Sequence, residues 1–366
     1  MSTALPSKQT IIVQRKTPGL PKGRLPLAVA HGRAVPELRS DHDVLVQVLA
    51  VGLNPVDAKM VSHFFMEDTP AGCDFFGVVV LAGSASTVRV GSRVIAGELP
   101  YRQNNQLHGG FSQYAIADAR HTILVPDHWS DTLAAGLGNL SWATVGLAMS
   151  KPDALALTGK PSAPSEKAIL VLVYGGGTAT GCIAIQMLKR SGYDPIAVCS
   201  DRSAPRAMSY GAIGTASYTS PNCVEEVRKI AQGRPIKHAL DCITQPDSVE
   251  ICFNVLARLG ARYACLEDCP EAWRPRRSVK VNIIMGYEQL GYDVELGDSV
   301  YTRKSNPESV QLCRMWAAEI QEMVNRDLIQ PLPIKEVEGQ FEGIVRGLEE
   351  ISKGKIAGTK LVVRLV

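Results

Sequence analysis

Residues 168–181 read Ala-Ile-Leu-Val-Leu-Val-Tyr-Gly-Gly-Gly-Thr-Ala-Thr-Gly. The unbroken apolar run from Ala168 to Val173 is what a parallel strand buried on both faces requires. Glycines then allow a tight turn, and Ile183, Gln186, Met187 and Leu188 carry a helix that stops near Gly192. A glycine turn between a buried strand and a helix suits a pyrophosphate. The backbone can approach it closely, and the helix N-terminus offers free N–H groups and a positive dipole end. Read as G-x-G-x-x-G, the turn has Gly175 and Gly177, then Thr180 where a third glycine is expected. The setting favours dinucleotide binding over an ordinary strand–helix turn.

Downstream, strands at 195–199, 238–243 and 262–266 alternate with helices at 221–231 and 248–258. That alternation implies right-handed crossovers and a doubly wound parallel sheet. Upstream the period is different. Residues 44–49, 77–81 and 93–96 read as short strands punctuated by Gly, Pro and Asn. Residues 131–150 are apolar and long enough for one helix, and 152–166 is a proline-bearing loop. The chain closes with helices at 310–326 and 341–353 and a strand at 360–365. The expected fold class is α/β, with a β-rich domain (1–130 and 306–366) and a doubly wound, Rossmann-type parallel-sheet domain (131–305).

The chain has 366 residues, 45% hydrophobic and 20% charged, with a net charge of +3. Dispersed basic residues give no nucleic-acid footprint, and no run approaches the roughly 20 apolar residues that span a bilayer. Residues 1–6 do not read as a secretory signal. The nine cysteines are scattered without a CxxC pair, as reduced, mostly buried thiols would be. A cytoplasmic protein is expected, without nucleic-acid or membrane partners.

A site that prefers NAD ends its second strand with an acid that takes the ribose hydroxyls. Here that strand ends Val198-Cys199-Ser200-Asp201-Arg202-Ser203. Ser200 stands at the acid's place, Arg202 can pair with a 2′-phosphate, and Ser200 and Ser203 can donate to it. This favours NADPH; Asp201 argues the other way unless it points outward. Tyr218 could stack near the adenine or be a half-exposed surface tyrosine.

Several motifs carry a family resemblance. Asn54-Pro55-Val56-Asp57-Ala58-Lys59, Gly91-Ser92-Arg93-Val94, Gly109-Gly110-Phe111-Ser112-Gln113-Tyr114 and Gly358-Thr359-Lys360-Leu361-Val362-Val363 resemble segments of the zinc-free, quinone-reductase-like branch of the medium-chain dehydrogenase/reductase superfamily. With Val171 to Gly176, Thr178 to Thr180, and Ala239 to Thr244, the chain looks most like the trans-acting enoyl reductases of fungal polyketide pathways. The resemblance implies a GroES-like β-rich domain beside the Rossmann domain. It implies that Val56, Asp57, Ala58 and Lys59 line the nicotinamide end, and that Gly177, Thr178, Ala179 and Thr180 hold the pyrophosphate. Ser200, Asp201, Arg202, Ser203 and Tyr218 would meet the adenosine end, and Leu266, Glu267, Ala357 and Gly358 would also touch cofactor. Thr144, Val145, Gly146, Leu147, Ala148, Met149, Ser150 and Lys151, with Gly286, Tyr287, Glu288, Gln289 and Leu290, would border the substrate channel. Glu267 and Tyr287-Glu288-Gln289 depart from the pattern, so substrate identity carries over least.

By the same comparison no metal is expected. Zinc-dependent relatives have a cysteine before the Asn54-Pro55 segment and G-H-E where this chain has Gly72-Cys73-Asp74. The implied chemistry is NADPH-dependent reduction of an activated double bond in a carrier-protein-bound polyketide intermediate of a separate synthase. Lys59 is the candidate cationic group at the nicotinamide end, or a ribose-binding lysine. The alternatives are a free-standing quinone or small-enone reductase, or a non-catalytic NADPH-binding protein. A monomer is expected, because charges and glycines in 279–296 discourage edge pairing. Arg274, Arg276 and Arg277 form the one local basic cluster that suggests a carrier dock.

Overall fold

The structure, a computed structural model, describes residues 5–16, 18–102, 105, 107–354 and 356–366. The chain forms two compact units: residues 1–140, 287–310 and 331–366 in the first, 141–286 and 311–330 in the second.

The first unit opens with β1 (Lys8–Gln14) and β2 (Leu27–Ala34), an antiparallel pair. Then come β3 (Asp43–Gly52), α1 (Pro55–His63), β4 (Asp74–Ala82), β5 (Arg93–Gly97), β6 (Tyr114–Asp118), β7 (Ile123–Leu124) and α2 (Asp131–Leu137). Val44, Val46 and Val48 of β3 pack with Phe75, Val79, Val94 and Ala115 in one apolar core. The sequence reading missed α1. Its start signal is nonetheless present: Asn54 at the N-cap, Pro55 in the first turn and Asp57 accepting from the Asn54 N–H at 2.9 Å.

The second unit begins within α3 (Leu140–Ser150), at Ser141. The helix expected over 131–150 is therefore two helices, broken where Gly138 takes φ +61°. A Cβ at Gly138 would lie 2.3 Å from Asp74 Oδ2, so only glycine fits the break. Next come β8 (Leu170–Tyr174), α4 (Ala179–Arg190), β9 (Asp194–Cys199), α5 (Ala204–Ser209), β10 (Gly214–Ser217), α6 (Cys223–Ala231), β11 (His238–Asp241), α7 (Pro246–Val255), β12 (Arg262–Cys265) and β13 (Lys280–Ile283). All the pairings are parallel, in the order β10-β9-β8-β11-β12-β13. The order reverses between β8 and β11, so the glycine turn after β8 opens at the topological switch point, where doubly wound sheets bind ligands.

Helix α8 (Pro307–Asn325) follows. Then β14 (Ile334–Glu336), α9 (Gln340–Ser352) and β15 (Lys360–Arg364) return to the first unit, extending its sheet as β14-β15-β3-β4-β5-β7 with β6 also on β3. Among the described residues no helix is long and apolar enough to cross a membrane.

Candidate functional site

The glycine turn is built by exclusion. Gly175 takes φ +79°. A Cβ on Gly176 would lie 2.9 Å from the Ala197 Cβ, and one on Gly177 would lie 2.5 Å from Ser203 Oγ. The third glycine of the motif is Gly181, not the Thr180 position: a Cβ there would meet the Gly175 carbonyl oxygen at 2.2 Å. The sequence frame was one residue short because the turn carries three consecutive glycines. Thr178 is the N-cap of α4; its hydroxyl accepts from the Gly181 N–H at 3.0 Å and donates to the Gly175 carbonyl at 2.8 Å. Ala179 and Thr180 follow in the first turn, whose leading N–H groups have no intrahelical acceptor.

At the ends of β9 and β10 lies a cavity of about 350 Å³ lined by Cys199, Asp201, Ala204, Thr215, Ala216, Ser217, Thr219, Ser220 and Glu226. Ser200 donates to Ser203 at 3.1 Å, which tightens the turn after β9. Asp201 lines the cavity, while Arg202 and Tyr218 are exposed and absent from its wall. Glu226 is engaged by the Ser220 hydroxyl at 2.6 Å.

Asp241 governs the loops after β11 and β12. Its carboxylate accepts from the Ile243 N–H (2.8 Å), the Thr244 N–H (2.9 Å), Ser248 Oγ (2.6 Å) and Tyr263 Oη (2.7 Å). Thr244 Oγ1 in turn accepts from the Leu266 N–H at 3.2 Å, placing the segment that continues to Glu267. Within Thr144–Lys151, Val145, Leu147, Ala148 and Met149 have no exposed surface. A Cβ on Gly146 would strike Trp316 at 2.5 Å, and the Trp316 indole donates to Ser150 at 2.9 Å. The middle of this stretch is buried, with Gly146 and Ser150 meeting Trp316 of α8, and Thr144 and Lys151 flank it. Gly286 closes the unit's own span.

In the first unit, Val56 is half-buried and Lys59 exposed, whereas Asp57 and Ala58 are buried. Burial pushes the Asp57 carboxyl up to about 6, opposed by Cys73, the Asn54 N–H and Lys360 and reinforced by Asp74. Asp57 is thus a buried carboxyl that holds the Asn54 N–H at the start of α1. Ala357 is exposed, and Gly358 turns with φ +64°.

Below α1 lies a polar network absent from the sequence reading. Asp74 Oδ1 accepts from the N–H groups of Asn139 (2.8 Å) and Leu140 (2.9 Å), and Asp74 Oδ2 accepts from Asn54 Nδ2 (2.9 Å). Lys360 Nζ donates to Asn54 Oδ1 at 2.5 Å and sits 3.8 Å from Asp74 Oδ2. Lys360 is 3% exposed and Asp74 0%. Burial lowers the Lys360 pKa, while Asp74 and Asp57 hold it up. A lysine opening an otherwise apolar strand, Lys360-Leu361-Val362-Val363, is the sequence signal that could have found it. A small cavity of about 10 Å³ adjoins Cys73 and Asp74, with Tyr287, Gln289 and Leu290 in its wall. Glu288 instead accepts from Ser309 Oγ at 2.8 Å and pairs with Arg303 at 3.4 Å. Among the described residues no cluster of three or more His, Cys, Asp or Glu could hold a metal.

Residues 40–127 match the alcohol dehydrogenase GroES-like domain. The chain is 52% identical to the trans-enoyl reductase sthE of Phaeosphaeria nodorum, over 98% of this chain and 97% of that protein. It is 46% identical to the trans-enoyl reductase calK of Penicillium decumbens, over 98% of each. The chain belongs to the trans-enoyl reductase family. The family's members are oxidoreductases acting on C=C bonds, and the fold implies a nicotinamide cofactor. The enzyme's fold is similar to that of CurK enoyl reductase, with TM-score 0.70 and 18% identity over 97% of this chain and 99% of that one.

Arg274 Nε donates to the Cys269 carbonyl at 2.8 Å, and Arg276 donates to the carbonyls of Phe253, Leu256 and Ala257 at the end of α7. Of the three, only Arg277 projects outward, and it lies 3.4 Å from Glu271. The region 279–296 is not one loop: β13 is an edge strand, followed by a short 3₁₀ turn over Gly286–Leu290.

Proposed function

We propose that this cytoplasmic enzyme transfers a hydride from NADPH to the β-carbon of a carrier-bound α,β-unsaturated polyketide thioester made by a separate synthase. The observation that carries the reading is the turn from Gly175 to Gly181. Its glycines are required by close packing on Ile243, Ala197, Ser203 and the Gly175 carbonyl, and it ends in helix N–H groups at the sheet's switch point. In an enzyme of this family, that turn fits a dinucleotide pyrophosphate. Bound NADPH would supply the hydride. Gly177 to Thr180 would hold its pyrophosphate, with Leu266 and Glu267 fixed beside it through Thr244.

Ser200, Ser203 and Arg202 would take the 2′-phosphate, for which a guanidinium offers bidentate charged hydrogen bonds. Thr215, Ser217 and Thr219 add hydroxyls to the same end. Lys59, on the exposed side of α1, would place positive charge where the enolate oxygen develops. Tyr287, Gln289 and Leu290 would border the acyl chain. The enzyme is proposed to act as a monomer.

The test compares NADPH oxidation with an enoyl thioester against oxidation with small quinones, identifying the products. Saturated thioester formed with the higher kcat/KM is expected. Faster quinone reduction, or nucleotide binding without turnover, would replace this reading.

A further inference from the structure

We propose that Lys360 is a positioning residue for hydride transfer. Its buried ammonium clamps together the two segments of the first unit expected to meet the nicotinamide end, 56–59 and 357–358. The inference rests on the enoyl-reductase reading.

The argument begins with cost. An ammonium buried to 3% exposure loses its hydration, and apolar side chains often replace buried ion pairs with no loss of stability. A valine or methionine at the start of β15 would serve the core as well. The charge is instead used on one side chain. Asn54 presents its amide oxygen to Lys360 at 2.5 Å and its amide nitrogen to Asp74 at 2.9 Å. Ammonium on one side and carboxylate on the other leave that amide a single orientation. Gly52 lies beside the clamp: a Cβ there would meet the Ala135 carbonyl oxygen at 2.4 Å and Lys360 Cε at 3.1 Å.

Asn54 is the N-cap of α1, so its orientation fixes the helix's entry and the first turn carrying Val56 to Lys59. Lys360 itself lies two residues beyond Gly358, whose φ of +64° turns the chain into β15. The Asp74 side of the clamp is anchored by the N–H groups of Asn139 and Leu140. Thus one cation ties the chain's closing segment to the start of α1, and Asp74 ties both to the break after α2.

Lys360→Met alone strands the Asp74 carboxylate, so the decisive variant combines Lys360→Met with Asp74→Asn, which removes both charges. The expected result is a cooperative melt close to the wild type, NADPH binding retained and KM for the thioester little changed. The expected kcat is on the order of tenfold to a hundredfold lower, as for a displaced reacting group. The primary isotope effect with C4-deuterated NADPH should also rise, as hydride transfer becomes limiting. A folded double variant with wild-type kcat and isotope effect would overturn the proposal. If the double variant does not fold, Asn54→Ser keeps a capping oxygen while removing the amide bridge. The same fall in kcat is expected, and unchanged kcat would overturn the proposal. A wild type inactive on every enoyl thioester would instead refute the proposed function, and is seen before any substitution is made.

Discussion

The glycine turn of the second unit and the Lys360–Asn54–Asp74 network of the first solve opposite problems. The turn is contiguous: within Gly175 to Gly181, the chain supplies both the bend and the helix N-terminus. It works by leaving atoms out, and its cradle is backbone. The network is assembled from residues far apart in sequence, Asn54, Asp74, Asn139 and Lys360, and works by burying charge. A local device is legible in a sequence as a motif. A device made by folding is visible there only as a misfit, here a lysine in an apolar strand.

The largest effect that would break this contrast is expected from Lys360→Met alone. Leaving Asp74 buried without its counter-charge should cost roughly 3–5 kcal/mol of stability, read by chemical denaturation. A loss under about 1 kcal/mol would show that the pair is dispensable to the fold.

Next is pH. The Asp57 carboxyl is raised to about 6 in the folded chain, against 3.8 ordinarily. The folded state therefore holds a proton that the unfolded state has released. Stability falls as pH rises from about 4 to about 6, and the penalty persists above that. Asp57→Asn keeps an acceptor for the Asn54 N–H and removes the penalty. A gain of about 1–3 kcal/mol is expected at pH 8, vanishing near pH 4. An equal gain at both would assign the effect to packing instead.

In the turn's own unit, Arg202→Ala should weaken NADPH binding by roughly tenfold or more, the value of a charged hydrogen bond, and leave NADH nearly unchanged. Asp201 lines the cavity at the ends of β9 and β10 where Arg202 does not. Equal affinity of the wild type for both nucleotides would therefore assign that cavity to ribose hydroxyls. The smallest effect is expected from a chelator, which should leave both activity and melting temperature unaltered. The position beside Cys73 and Asp74 already holds an ammonium, and a second cation would be repelled. Stoichiometric zinc lost together with activity would contradict this.

Much of the second unit was legible because buried parallel strands are continuous apolar runs and its turns are glycines. The strands at 170–174, 194–199 and 262–265 lie where periodicity puts them. The break at Gly138 was not legible, because its cause is Asp74, distant in sequence. The same distance hid Asp241's hold on Thr244 and Leu266. A cluster of basic letters likewise does not reveal that Arg274 and Arg276 hold backbone carbonyl oxygens. Nor do the letters of Val145 to Met149 show that Gly146 is pressed against Trp316, because apolar residues look alike whatever they face.

The central claim, hydride delivery to a conjugated thioester, is tested most directly by one labelling experiment. The wild-type enzyme is given an enoyl thioester and NADPH deuterated at both C4 positions, and the saturated product is located by mass spectrometry and NMR. The account predicts a single deuterium on the β-carbon and a solvent-derived hydrogen on the α-carbon. Deuterium at the α-carbon, or a saturated product without label, would contradict it.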